Sequence, residues 1–252
     1  MVYGIEVAGS TFEGQSYAAV IVGVADDQGP RTREQVLATL TDLRFSGWLG
    51  PVQGRWLTLI LDSARRSSAG DRRGVVEVAA ELAALTPETV VAVRMLADLQ
   101  LALAMWQAGE EIGRYVSDPS YGAGEDSDLL PDPYGVQHAD AFAAACGHPE
   151  AGEELAQILG EDVDVEAMIE SERLGAVLRL LHLPTWIVGS TALPREMTVG
   201  PRNRELTRLG AGRSGLLGWA AGRAVATTRK HRTPPPVVTD APRGQDFDPW
   251  LM

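Results

Sequence analysis

The sequence predicts an α+β fold: a mostly antiparallel sheet covered by helices, with a helical C-terminal part and a flexible basic, proline-rich tail. Three patterns carry this reading. β-branched apolar runs alternate with helical stretches early in the chain, a strand–turn–strand run occupies the middle, and amphipathic helices follow it. With 252 residues, 45% of them hydrophobic and 22% charged, the chain can bury a sizeable core. Its one cysteine, Cys146, cannot form an internal disulfide. The expected organisation is a single α+β domain over residues 1–195, an Arg/Gly-rich, helix-capable extension over 196–228 and a disordered proline-rich tail over 229–252.

Tyr3–Val7 and Tyr17–Val24 read as strands, the second rich in β-branched residues. Asp26–Pro30 breaks the chain. Thr32 then caps a helix to Leu43, with Val36, Leu37, Leu40 and Leu43 at helical spacing. Gly47, Gly50, Pro51 and Gly54 suggest a tight connection carrying Trp48, and Arg55–Leu61 follows as an apolar strand. Ser63–Arg73 is polar and contains glycine, which reads as a surface loop. Val75, Val78, Leu82 and Leu85 form the stripe of a helix from about Gly74, stopped by Pro87.

Thr89–Leu96, Leu101–Gln107 and Glu111–Val116 make a meander turned at Ala108-Gly109. In its middle strand Leu101, Leu103 and Met105 point to one face, while Ala102, Ala104 and Trp106 point to the other. Asp118–Tyr134, crowded with Gly, Pro, Ser and acids, predicts a long irregular loop. Helices are expected at Ala139–Cys146, Pro149–Leu159 and about Val165–His182, and Trp186–Gly189 reads as a short strand. Leu206–Thr228 has helical character weakened by five glycines, each about 1 kcal/mol worse than alanine in a helix.

Charge is unevenly spread. Residues 1–200 hold 13 Arg against 30 Asp and Glu, a net −17, while residues 201–252 hold 9 basic and 4 acidic residues. Phosphate backbones are repelled by so acidic a body, so nucleic-acid binding by the main domain is disfavoured. Leu209–Val225 is interrupted by Arg213 and Arg223, well short of the roughly 20 apolar residues that span a bilayer. Met1–Ser10 does not read as a signal peptide, and the expected compartment is the cytoplasm.

The strongest local string is Tyr115-Val116-Ser117-Asp118-Pro119-Ser120-Tyr121, which leaves the last meander strand. With Leu181-His182-Leu183-Pro184-Thr185-Trp186, it resembles a group of uncharacterised bacterial α/β proteins that share a Tyr-x-Ser-x-Pro-x-Tyr strand exit and a closing Leu-x-Leu-Pro-Ser/Thr-Trp segment. The resemblance spans about residues 45–192 and implies a fold and domain limits, with no activity attached.

Tyr115 and Tyr121 offer flat rings with polar tips, suited to anchoring a partner or closing a core. Seven acids, Glu110, Glu111, Asp118, Glu125, Asp126, Asp128 and Asp132, surround one base, Arg114. Glu125-Asp126-Ser127-Asp128 lacks the order of a dedicated Ca²⁺ loop, and no metal site is expected. His138 and His148 match no zinc spacing, His182 suits a helix C-terminus, and Cys146 reads as a small core residue. Gly210-x-Gly212-x-x-Gly215 spells a dinucleotide fingerprint without the βαβ context that gives it meaning.

The expectation is therefore a non-enzymatic, adaptor-like or immunity-like protein needing no cofactor. An acidic face of Tyr115, Asp118, Tyr121, Glu125, Asp126 and Asp128 would hold a protein with a basic surface. The alternative is an unfamiliar enzyme or metal-dependent hydrolase built on the same carboxylates.

Overall fold

A computed structural model of the chain describes residues 14–25, 28–121, 133–161, 170–195, 197, 199–215, 218 and 220. Its strands are β1 (Tyr17–Gly23), β2 (Gly47–Gln53), β3 (Trp56–Leu61), β4 (Val90–Leu96), β5 (Gln100–Gln107), β6 (Glu110–Val116), β7 (Thr207–Gly210) and β8 (Arg213–Ser214). They form one sheet in the order β6-β5-β4-β1-β3-β2-β7-β8, every neighbouring pair antiparallel. The fold is α+β, as the sequence predicts, and the meander β4–β5–β6 lies where the alternation places it.

Both faces of the sheet are buried. Helices α1 (Gly29–Asp42) and α2 (Val75–Ala83) cover one face, packing Val36, Leu40, Val78 and Leu82 on Val20, Leu59, Ala92 and Ala104. The other face lies under α3 (Ala139–Ala145), α4 (Gly152–Gly160) and α5 (Glu170–Leu180), whose Phe142, Leu155, Leu174 and Val177 meet Ile21, Val93, Leu103 and Met105. Strands covered on both sides lose the polar half of their alternation, which is why β1 and β4 are apolar throughout or nearly so.

Several expectations are corrected. Helix α1 begins at Gly29, ahead of Thr32, because Pro30 sits in its first turn, where a missing N–H goes unnoticed. Gly47–Gln53 is a strand instead of a tight connection. A Cβ at Gly47 would lie 2.2 Å from the Ile60 carbonyl oxygen, so glycine allows this close pairing. Gly50 and Pro51 fall inside the register shift between Leu49 and Val52, a bulge that tolerates proline.

Thr185–Ala192 is a 3₁₀ helix, not a strand at Trp186–Gly189. Gly210 and Gly212 serve a hairpin in place of the expected helix, while Gly215, Gly218 and Ala220 are helical. Strand β7 pairs with β2, and Ala211-Gly212 turns it into β8 with φ of 48° and 78°. The sheet therefore continues to Ser214, and the Gly-x-Gly-x-x-Gly string is a turn with no dinucleotide geometry. Tyr3–Val7, residues 122–132, the first part of the Val165–His182 helix and the tail from 221 lie outside the described residues. Among the described residues, no helix is long and apolar enough to cross a membrane.

Candidate functional site

On the face covered by α1 and α2, strand β4 carries a single charge. Arg94 stands opposite Ala18 of β1 and Ala102 of β5, and these two small neighbours leave room for its long side chain. It is only 2% exposed. Its Nη2 donates to Gln100 Oε1 at 3.4 Å, and Gln100 Nε2 donates onward to the Asp118 carbonyl at 2.7 Å. Arg94 lines a cavity of about 110 Å³ at the N-terminus of α2, together with Arg65, Arg66, Arg72, Gly74, Val75, Val76 and Glu77.

The three further arginines come from the segment joining β3 to α2, which is held at several points. Ser46 N donates to Ser68 O at 2.7 Å, Gly70 N to Leu43 O at 2.7 Å, and Arg66 N to Ser63 Oγ at 2.9 Å. Asp71 and Arg72 both adopt left-handed backbone, with φ of 55° and 60°. Asp accepts that region readily; Arg does so only where surrounding bonds enforce it. Arg73 turns aside to Asp71 and Glu81, at 3.7 and 3.4 Å.

Four guanidinium groups and one carboxylate thus line the cavity. The carboxylate of Glu77 accepts from Gly74 N at 2.8 Å, folding back over the helix start. The first N–H groups of a helix lack intrahelical acceptors, and its dipole favours negative charge there. Guanidinium groups add planar forks that match tetrahedral oxyanions. The arrangement is chemically suited to holding one compact anion.

The residues expected to form an acidic face separate. Tyr115 is fully buried under α4, its hydroxyl donating to the Leu159 carbonyl at 2.9 Å, so it is a core residue and not part of a binding rim. Burial pushes its phenol well above the ordinary range, with Arg173 acting in the opposite direction. Asp118 uses Oδ1 on its own turn, accepting from Ser120 N at 2.9 Å, from the Ser120 hydroxyl and from Tyr121 N at 3.2 Å. Ser117 Oγ accepts from Leu101 N at 2.9 Å. Tyr121 is half-buried, and its hydroxyl accepts from Arg65 Nη2 at 3.2 Å. Glu125, Asp126 and Asp128 lie outside the described residues.

The Tyr-x-Ser-x-Pro-x-Tyr string is thus a strand exit that buttresses the arginine cavity, through Gln100 on one side and Arg65 on the other. Sequence reasoning passed over the arginines themselves, reading Ser63–Arg73 as surface loop. The available signals were four arginines between a strand and a helix, and one arginine inside the apolar run Val90–Leu96.

A second buried arginine has a structural task. Arg173 donates to the carbonyls of Ile158, Leu159 and Glu161 at 2.6, 3.1 and 2.6 Å, satisfying the open end of α4. Its Nε lies 3.2 Å from Glu170 Oε2. Desolvation raises the Glu170 carboxyl above its ordinary range, and Arg173 offsets part of that shift. Cys146 is buried, and Thr89 Oγ1 donates to the carbonyl of its neighbour Ala145 at 2.6 Å. Burial pushes the Cys146 thiol up to about 12. Among the described residues, no three His, Cys, Asp or Glu side chains are grouped to hold a metal ion. No family model matches the chain, and neither a curated protein nor a solved structure matches it.

Proposed function

We propose that the chain is a binding protein whose arginine pocket captures a compact tetrahedral oxyanion, most simply a phosphoryl group. The observation that carries this is Arg94, a charge placed 2% exposed in an apolar sheet and lining a cavity with three more arginines at a helix N-terminus. Its surroundings are set before any ligand arrives: the sheet positions Arg94, and the bonded β3–α2 segment positions Arg66 and Arg72.

Size supports the ligand class. A water molecule occupies about 30 Å³ in the liquid, so a cavity of about 110 Å³ holds a group of a few heavy atoms. Charge supports it too, because a chain of net charge −12 repels extended polyanions while the pocket attracts a single one. The test is calorimetric titration with inorganic phosphate. Saturable binding is expected, weakened about 10- to 100-fold in Arg94→Met, the range of one charged hydrogen bond. Identical isotherms for the two proteins overturn the proposal.

Capture of a basic protein by Tyr121, Glu125, Asp126 and Asp128 is a second proposal, supported by the net −17 of residues 1–200. Polylysine binding is expected to weaken on charge reversal at Asp126 and Asp128. Indifference to both substitutions removes this reading.

A further inference from the structure

On the opposite face of the sheet, a cleft of about 430 Å³ lies between the β2–β3 turn, the α3–α4 connection and the end of α5. Arg55, His148 and His182 line it with Gln53, Trp56 and Cys146, and among the described residues its lining includes no carboxylate, in a chain that carries 34. We propose that this cleft is a second ligand site, for a small organic carboxylate with an apolar body.

The polar atoms of the cleft are mostly donors. Gln53 Oε1 is already occupied, accepting from Trp186 Nε1 at 2.9 Å, which leaves the Gln53 amide nitrogen as the part that can donate. The His182 carbonyl accepts from Trp56 Nε1 at 3.0 Å. This bond ties the end of α5 to β3 and holds His182 in a left-handed conformation at φ 52°. The His148 and His182 rings meet edge to face with centroids 4.2 Å apart. The Arg55 guanidinium lies 5.1 Å from the centre of the Trp56 ring.

Two carboxylates approach from outside the lining. Glu88 sits 3.4 Å from Arg55, whose side chain is 46% exposed, a pair too solvated to consume the guanidinium. Glu150 sits 3.5 Å from His148 Nδ1 and is itself mostly exposed. Cys146 adds no negative charge, since burial keeps its thiol protonated. A ligand carboxylate meets Arg55, the imidazoles and the Gln53 amide, while its body lies against Trp56 and Leu181.

Benzoate, with isosteric benzamide as its neutral counterpart, tests this on the full chain. The readout is the ring C–H signals of the histidines in proton NMR. Benzoate is expected to shift His148 and His182 saturably while leaving His138 in place, and benzamide to shift neither. Arg55→Gln should weaken benzoate about tenfold, the loss of one charge-assisted contact. His182→Asn, which keeps a residue tolerant of left-handed backbone, should weaken it severalfold through the lost ring contact. Equal shifts with benzamide, or unchanged benzoate affinity in both variants, overturn the proposal. Phosphate binding at the arginine pocket is unaffected by either result.

Discussion

The arginine pocket and the histidine cleft lie on opposite faces of one sheet, and they solve the same problem differently. Both gather positive charge within an acidic chain. The pocket does so with guanidinium groups, which stay charged at every accessible pH, around a cavity of about 110 Å³. The cleft relies on one guanidinium and two imidazoles around about 430 Å³. The contrast continues into the core. Tyr17, Tyr115 and Cys146, the buried groups whose protons are held most tightly, all belong to the cleft's face. One face carries fixed charge; the other holds its buried protons tightly.

Arg94→Met breaks this comparison most severely. It should remove most sulfate or phosphate binding, about 10- to 100-fold, and leave benzoate binding untouched. Methionine leaves the buried Gln100 Oε1 without this donor, so the melting temperature should fall modestly. Melting far below the parent would show that Arg94 serves the fold first.

Alkaline unfolding probes these buried protons directly. Burial raises the Cys146 thiol from 9.0 to about 12 and the Tyr17 phenol from 10.0 to about 12. The folded chain therefore binds these protons more tightly than the unfolded one. Their contribution is fully present below pH 9 and is lost as pH rises through the folded values. A melting temperature that holds to about pH 9 and then falls is expected, with a shallower fall in Cys146→Ala. The smallest effect belongs to Tyr121→Phe, which removes the acceptor for Arg65 and should weaken phosphate about threefold, within the range of one neutral hydrogen bond. No change would detach the strand exit from the pocket.

Much of the fold was legible because alternation and helical spacing are local. The two faces of β5 follow from Leu101, Leu103 and Met105 against Ala102, Ala104 and Trp106. Glycine marked the Ala108-Gly109 turn, but glycine and proline misled the reading at β2. Gly47 and Pro51 signal a turn in isolation, but a close strand pairing and a bulge in the sheet use the same residues. Thr207–Gly210 becomes a strand because β2 offers it an edge, with Gly47 paired to Leu209 from 162 residues away.

The site was harder to read for a related reason. Tyr115 looks like an anchor until α4 covers it. Arg94 looks like an interruption until Ala18 and Ala102 are seen beside it and Arg65, Arg66 and Arg72 above the start of α2. Residue types can be read along the chain, but convergence across β4, the β3–α2 segment and the strand exit cannot.

The most direct test of the pocket follows the arginine side-chain N–H signals by NMR while sulfate is added. A saturable shift of Arg94 Nε–H, matched by Arg66 and Arg72 and absent from Arg173, is predicted. A small, unsaturated drift shared by all the arginines would contradict it.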